Sequence, residues 1–423
     1  MGSQPNVTPL HSWHTRHGAQ MAEFGGYHMP LWYASAKGEH LAVLSQAGLF
    51  DTSHMAALIV EGPEARSLLQ RCFSRDLEAC IGPKGAPLSN GRLVYGVFLN
   101  SKGHVIDDAI AYQIAPQKYM LVVNAGMGGL LAGHLAEHAS GKGTEIVDLS
   151  GELGKIDLQG PAAARILSPL LANSEAAFEC LPYFAFKGFF DAGQESVGSV
   201  ALLDGTPLLL SRSGYTGEFG FEIFCRAEHT QNVWERIMDA GEPHGLCACG
   251  LAARDSLRAG AVLPLSHQDI GDWPFVHNPW TFCLPWNEAG TGFVKDFVGG
   301  GALLRAENPG YTYPFLGRDP RKASPGEATR AADSEGRELG RLLTCVTDMG
   351  IGWHKGRVYS LTSPDRPEGF QPRGLCCGFV LLDEPLDYGR EIELRDARRK
   401  LPVCITRDIR PDRTARKPIR SLL

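Results

Sequence analysis

The stretch Ser211-Arg-Ser-Gly-Tyr-Thr-Gly-Glu-Phe-Gly-Phe-Glu-Ile-Phe224 constrains this chain more than any other. Gly214, Gly217 and Gly220 punctuate its first half. Glycine adopts positive φ freely and lets backbones approach closely, so these positions read as a compact turn. The second half alternates. On a strand, Phe219, Phe221 and Ile223 share one face, and Gly220, Glu222 and Phe224 share the other. A carboxylate thus stands opposite an apolar stripe, directly after a glycine turn. Two readings follow. Glu222 is either a solvated strand residue or a fixed carboxylate that accepts paired N–H bonds from a planar ligand edge.

A second acidic feature lies upstream. Residues 92–99 and 105–112 read as a hairpin around Asn100-Ser-Lys-Gly103. Its second strand carries Asp107 and Asp108, although Asp is depleted in strands. In a regular strand the two point to opposite faces, so one can meet solvent while the other meets a cavity. Burial raises a carboxyl pKa, which suits proton exchange near neutral pH. The next strand, 119–125, carries Asn124 near its end. That amide can read a heterocycle edge, or simply form the turn before Gly126. Helices are expected over 8–23, 38–48, 126–140, 227–241 and 250–258. Arg254 projects from the last of these, either toward solvent or an acidic partner, or as a planar fork for a carboxylate or carbonyl.

The pattern Val60-Glu-Gly-Pro63 recurs as strand–Gly–Pro–helix over 156–164, an internal repeat that suggests two similar α+β units. Residues 308–335, rich in Pro, Gly and Arg, mark a boundary or excursion. Beyond them, short alternating runs at 340–346, 357–361, 375–382, 391–394 and 400–405 read as a small β-barrel.

A chain of 423 residues exceeds one ordinary core, so two or three domains are expected. Hydrophobic residues at 43% and charged residues at 21% fit a soluble enzyme. A net charge of −6 argues against nucleic acid or an anionic membrane as the main partner. The basic end, 407–420, reads as a solvated tail. The 11 cysteines form no C-x-x-C pair, and an odd count in a chain this long favours reduced thiols in the cytoplasm. No apolar run is long enough to cross a bilayer, and Met1-Gly-Ser-Gln-Pro-Asn carries neither an export nor a lipidation signal. His and Cys show no metal-ligand spacing, so no metal site is expected and a metal-dependent hydrolase is set aside.

Phe50-Asp-Thr-Ser-His-Met55, Gly103-His-Val-Ile-Asp-Asp108, Val122-Val-Asn-Ala125 and Gly250-Leu-Ala-Ala-Arg-Asp-Ser-Leu-Arg258 occur in this order around the 211–224 stretch. Together they resemble the tetrahydrofolate-dependent aminomethyltransferase family, which includes glycine-cleavage T-proteins and folate-dependent demethylases. The resemblance spans roughly the whole chain, is closest between His14 and Arg258, and is looser in the C-terminal third. It implies an α+β, three-domain cloverleaf with a C-terminal β-barrel. Residues 8–305 would hold two interleaved α+β domains that bind folate, and 306–423 the barrel. It also implies tetrahydrofolate as cofactor and Asp108 as the catalytic carboxylate near N5. Glu222, Arg254, Asn124, Tyr215, Met55 and His54 would surround the cofactor.

After Arg258 the chain departs from T-proteins. Leu257-Arg-Ala-Gly-Ala261 lacks their usual Glu, and 272–286 is crowded with aromatics and prolines. An aromatic-lined pocket suits a methylated ammonium or sulfonium, while core packing at a domain junction is the alternative. The expected function is therefore transfer of a methyl group from a small methylated substrate to N5 of tetrahydrofolate. Two alternatives stand beside it. One is a glycine-cleavage-type aminomethyltransferase that takes its group from a lipoyl carrier protein. The other is a folate-binding regulatory protein without turnover, which the Asp107-Asp108 pair argues against.

Overall fold

The computed structural model describes residues 4–423 except 140, 142, 195, 326–328 and 398, so the first three residues of the opening segment read for export and lipidation signals lie outside the described residues. Two sheets pack face to face. The first has five strands in the order Arg92–Leu99, Val105–Ala115, Lys118–Val123, Ala56–Glu61 and Glu145–Asp148. The second has six, in the order Phe186–Gly188, Leu209–Ser211, Gly220–Arg226, Leu153–Gln159, Ala47–Asp51 and Leu246–Cys249. A closed barrel follows, built from Tyr311–Gly317, Leu375–Leu382, Glu338–Asp348, Arg330–Ala332, Glu391–Arg395 and Lys400–Ile405. The architecture is the α+β fold with a C-terminal barrel that the sequence suggests.

Alternation explains how the sheets meet. Ala57, Ile59, Tyr112, Met120 and Val122 of the first share a core with Phe186, Leu209 and Phe224 of the second. The intervening residues Ala56, Leu58, Val60 and Leu121 pack instead beneath the helices Ala65–Cys72 and Gly128–His138. With both faces covered, these strands are apolar almost throughout. The same holds for Gly220–Arg226. Phe221, Ile223 and Cys225 join the outer core, whereas Phe224 joins the core between the sheets. Glu222 shares the face of Phe224 and is only 4% exposed. It is a buried carboxylate, because its face is covered by the other sheet.

The strand–Gly–Pro–helix repeat is present in both sheets. Gly62 and Gly160 adopt φ of 132° and 125°. A Cβ there would sit 1.9 Å from the Gly143 carbonyl oxygen or 2.6 Å from that of Gln46. Each bend therefore needs glycine for both conformation and space.

Other expectations are corrected. Only His11–Arg16 of the 8–23 segment is helical. Gln20–Phe24 and Tyr27–Trp32 instead form a hairpin through Gly25 and Gly26, both with positive φ. Such a two-residue turn matches the strand twist, and this overrides the helical spacing of the apolar residues. Strand Tyr311–Gly317 lies within the segment read as an excursion, disguised by Pro314. Arg357–Ser360 pairs with Ile351–His354 outside the barrel. The basic end is no solvated tail either. Arg410 is fully buried, 2.6 Å from Asp348 and 3.1 Å from Glu218, and Ile419 joins the core of the second sheet. Buried acids neutralise Arg410, while Arg407, Arg413, Arg416 and Arg420 remain exposed on the docked segment. Among the described residues, no helix is long and apolar enough to cross a membrane.

Candidate functional site

Strand Val105–Ala115 places Ile110, Tyr112 and Ile114 on the intersheet face, and Asp108 shares that periodicity. Asp107 falls in register with Ala109 and Ala111 on the other face. The two carboxylates nonetheless converge. The adjacent strand ends where Val123 pairs with Ala109, and Asn124 leaves the sheet there. From the sheet's end its side-chain amide is in reach from both faces. Asn124 Nδ2 donates to Asp107 Oδ1 at 2.7 Å and to Asp108 Oδ1 at 2.6 Å. Its backbone N–H donates to Asp107 Oδ2 at 2.9 Å. Tyr95 Oη donates to Asp108 Oδ2 at 2.7 Å, and Ser266 Oγ to Asp107 Oδ1 at 2.8 Å.

Asp107 is fully buried, while Asp108 keeps partial access to solvent. Burial, then the charge of Asp108, pushes the Asp107 carboxyl up to about 7. Burial raises Asp108 as well, and the donors Tyr95 and Asn124 offset only part of that rise. Two close acids with raised affinity for protons hold one proton between them near neutrality.

A second cluster surrounds Glu222, which lies across from Asp157 in the sheet. Lys155 Nζ donates to Glu222 Oε1 at 2.5 Å and to Asp157 Oδ1 at 2.6 Å. Glu222 Oε2 accepts the Ser213 hydroxyl and, at 3.4 Å, that of Tyr112. Asp157 Oδ2 accepts Arg254 Nη1 at 2.8 Å. The Arg254 guanidinium lies 4.8 Å from the Tyr215 ring centre, and the Tyr215 hydroxyl is held by the Pro264 carbonyl. Burial alone would raise Asp157, but Lys155 and Arg254 outweigh it and hold the carboxyl below its ordinary range. The glycine turn packs on Gln159, which bonds the carbonyls of Ser213 and Phe221 and the Thr216 hydroxyl. A Cβ at Gly214 would lie 2.0 Å from Gln159 Oε1.

Tyr112 joins the clusters. It stands four residues from Asp108 on the same face, about 13 Å along the strand, and reaches Glu222. His54 is buried against the edges of Phe24 and Tyr27, with ring centres at 5.7 and 6.3 Å. Burial, then the Arg254 charge, pushes its imidazole down to about 4. Its Nδ1 is buried and has no hydrogen-bond partner among the described residues. Met55 packs on the intersheet core. A separate surface cleft is lined by Glu61, Lys118, Glu145, Phe189 and Arg226. Lys118 begins the strand that Asn124 follows, so this cleft lies at the opposite end of the sheet.

Sequence reasoning missed Lys155, Asp157 and Tyr95. For the first two the signal was present, since Lys155-Ile-Asp157 sets two charges on one face of an apolar strand. The aromatic segment proves to be mainly packing. Phe275, Trp280 and Leu284 are buried with Val97 and Leu99 of the first sheet and with Phe379 of the barrel. Phe282 is largely exposed, its ring 6.3 Å from that of Tyr95.

The family model described as GCVT N-terminal domain matches residues 10–274. An aminomethyltransferase from Symbiobacterium thermophilum is 39% identical over 320 residues, which span 73% of this chain and 77% of that protein. One from Bacillus subtilis is 32% identical over 355 residues, 82% and 89% of the two chains. The crystal structure of the glycine cleavage system aminomethyltransferase T from Bartonella henselae superposes with a TM-score of 0.72 at 26% identity. That match covers 98% of this chain and 99% of the other.

Proposed function

Since this chain belongs to the GCVT N-terminal domain family, we propose that it is a tetrahydrofolate-dependent aminomethyltransferase of the glycine-cleavage type, taking its group from a lipoyl carrier protein. The relatives support this alternative over transfer from a small methylated substrate. The segment that favoured the methylated substrate is occupied mainly in packing. The cysteines are free, which fits cytoplasmic work.

The donor set fits a folate. Glu222 is locked by Lys155 and Ser213 yet, as a carboxylate, keeps lone pairs for a planar N–H edge. The Arg254 guanidinium is held over the Tyr215 ring. The unpartnered Nδ1 of His54 offers a further polar contact. On this reading Glu222, Arg254, Tyr215, Asn124, His54 and Met55 hold the cofactor. When bound, tetrahydrofolate supplies the nucleophilic nitrogen that accepts the one-carbon unit. On the same reading Asp108 would face the reacting nitrogen, where its carboxyl would hold or give up a proton or orient the incoming group. Burial raises the Asp108 carboxyl above its ordinary value, and the amide of Asn124 offsets part of that rise. The protein's main contribution is placement and preset charge.

The observation that carries this reading is the strip from Asp108 through Tyr112 to Glu222, with a proton-sharing pair at one end and a fixed acceptor at the other. The test is mass detection of folate products after incubation with tetrahydrofolate and either an aminomethylated lipoyl protein or a panel of methylated amines and sulfonium compounds. 5,10-Methylene-tetrahydrofolate formed only with the lipoyl protein is expected. 5-Methyl-tetrahydrofolate from a methylated compound would restore the methyl-transfer reading. Tight folate binding without any product would leave a binding protein.

A further inference from the structure

On the outer side of the first sheet, away from the strip just described, three ligand-type side chains meet. Cys72 ends helix Ala65–Cys72, and His134 and His138 lie in helix Gly128–His138. Residues four apart share a helix face, so the two imidazoles stand one above the other. One ligand atom from each of the three lies within 4.8 Å of the others. Cys72 is fully buried, and both histidines are half-buried, so the cluster is closed on the core side and reachable from solvent.

The hydrogen bonds leave the right atoms available. His138 Nδ1 lies 2.9 Å from the His134 carbonyl oxygen. As donor to that oxygen it must carry the proton, which leaves a lone pair on Nε2. A ligating histidine is ordinarily oriented this way, by a bond from its other nitrogen to a backbone carbonyl. His134 Nε2 is buried and has no hydrogen-bond partner among the described residues. Its ring packs edge-on against Phe98 at 6.3 Å, which fixes its direction. Arg71 Nη1 donates to the His138 carbonyl at 2.9 Å and ties the two helix ends together. The nearby ammonium of Lys295 is engaged by the carbonyls of Gln70, Phe73 and Arg75 at 2.6–2.7 Å.

We propose that Cys72, His134 and His138 bind a transition-metal ion of the zinc class, with water as fourth ligand, and clasp the two outer helices. One thiolate and two imidazoles form a borderline-soft set that suits tetrahedral zinc and excludes hard cations such as magnesium or calcium. On binding, the Cys72 S–H bond breaks, the proton passes to solvent and a sulfur–metal bond forms. The site is structural. Phe98 pairs with Asp107 in the sheet and carries the contact to His134 outward, whereas Asp108 faces inward. The proposal departs from the expectation of no metal site, which rested on local spacing alone, whereas Cys72 is remote in sequence from His134 and His138.

The test uses the full chain, freed of metal by chelation and desalting, then titrated with Co²⁺ and challenged with Zn²⁺. One equivalent of Co²⁺ should give tetrahedral d–d absorption and a near-ultraviolet thiolate charge-transfer band, both erased by Zn²⁺. Cys72→Ser should remove the charge-transfer band. His138→Gln, at a half-exposed position, should weaken binding at least about tenfold, with the metal-free near-ultraviolet circular dichroism unchanged. Three results would overturn the site: no stoichiometric binding by the parent chain, a charge-transfer band that survives Cys72→Ser, or unchanged affinity in His138→Gln.

Discussion

At one end of the intersheet strip, Asp107 and Asp108 crowd a single amide, with the His267 imidazole 3.9 Å from Asp107. At the other end, Glu222 and Asp157 are interleaved with Lys155 and Arg254, so that four charges cancel. Both clusters are buried or nearly so. The first resolves the cost of burial by keeping a proton, the second by pairing every charge. A group that keeps a proton near neutrality can exchange it. A carboxylate locked in ion pairs is held in place. Chemistry is therefore expected at the first end and recognition at the second.

The largest effect should come from turning the second cluster into something like the first. Lys155→Met leaves Glu222 and Asp157 facing each other in a dry interior, with Arg254 on one of them only. Breaking a buried pair in this way costs about 3–5 kcal/mol, read as a drop in urea-unfolding free energy. A loss under about 1 kcal/mol would mean the cluster is hydrated and its pairing dispensable. Next is Asp108→Asn, which keeps shape and removes the exchangeable proton. Turnover should fall about a hundredfold in a single-turnover assay, while folate binding stays largely intact. A near-normal rate would remove Asp108 from the mechanism.

Two smaller changes act on the carboxylate pair with opposite signs. Asp107→Asn removes a neighbouring negative charge, so Asp108 ionises more readily. The acid limb of the pH–rate profile should move to lower pH by about one unit. Tyr95→Phe removes a donor to the ionised form of Asp108. That limb should then move to higher pH by a few tenths of a unit, within the roughly 1 kcal/mol of one hydrogen bond. Shifts of the same sign in both variants would contradict the shared-proton account.

Much of this was legible in advance where local chemistry and pattern agreed. The alternation after Gly220 located Glu222, and a glycine-turned hairpin located Asp107 and Asp108. Alternation could not reveal that Asn124 lies at the end of a sheet and gathers both acids. Nor could it show that Glu222 already has a cation, since Lys155 comes from a strand remote in sequence and meets it only through cross-strand register. The aromatic run at 272–286 misled for a related reason. Ring content marks apolar area but not whether that area faces a ligand or the barrel. Arg410 likewise looked solvated because its buried partners, Glu218 and Asp348, are distant in the chain.

The division of labour is tested most directly by measuring tetrahydrofolate affinity and single-turnover rate side by side in Asp108→Asn and Glu222→Gln. Asp108→Asn should keep its Kd within a few-fold and lose about a hundredfold in rate. Glu222→Gln should weaken Kd roughly tenfold and, once saturated, turn over within a few-fold of the parent chain. The reverse pattern, or equal losses of Kd and rate in both variants, would contradict that division.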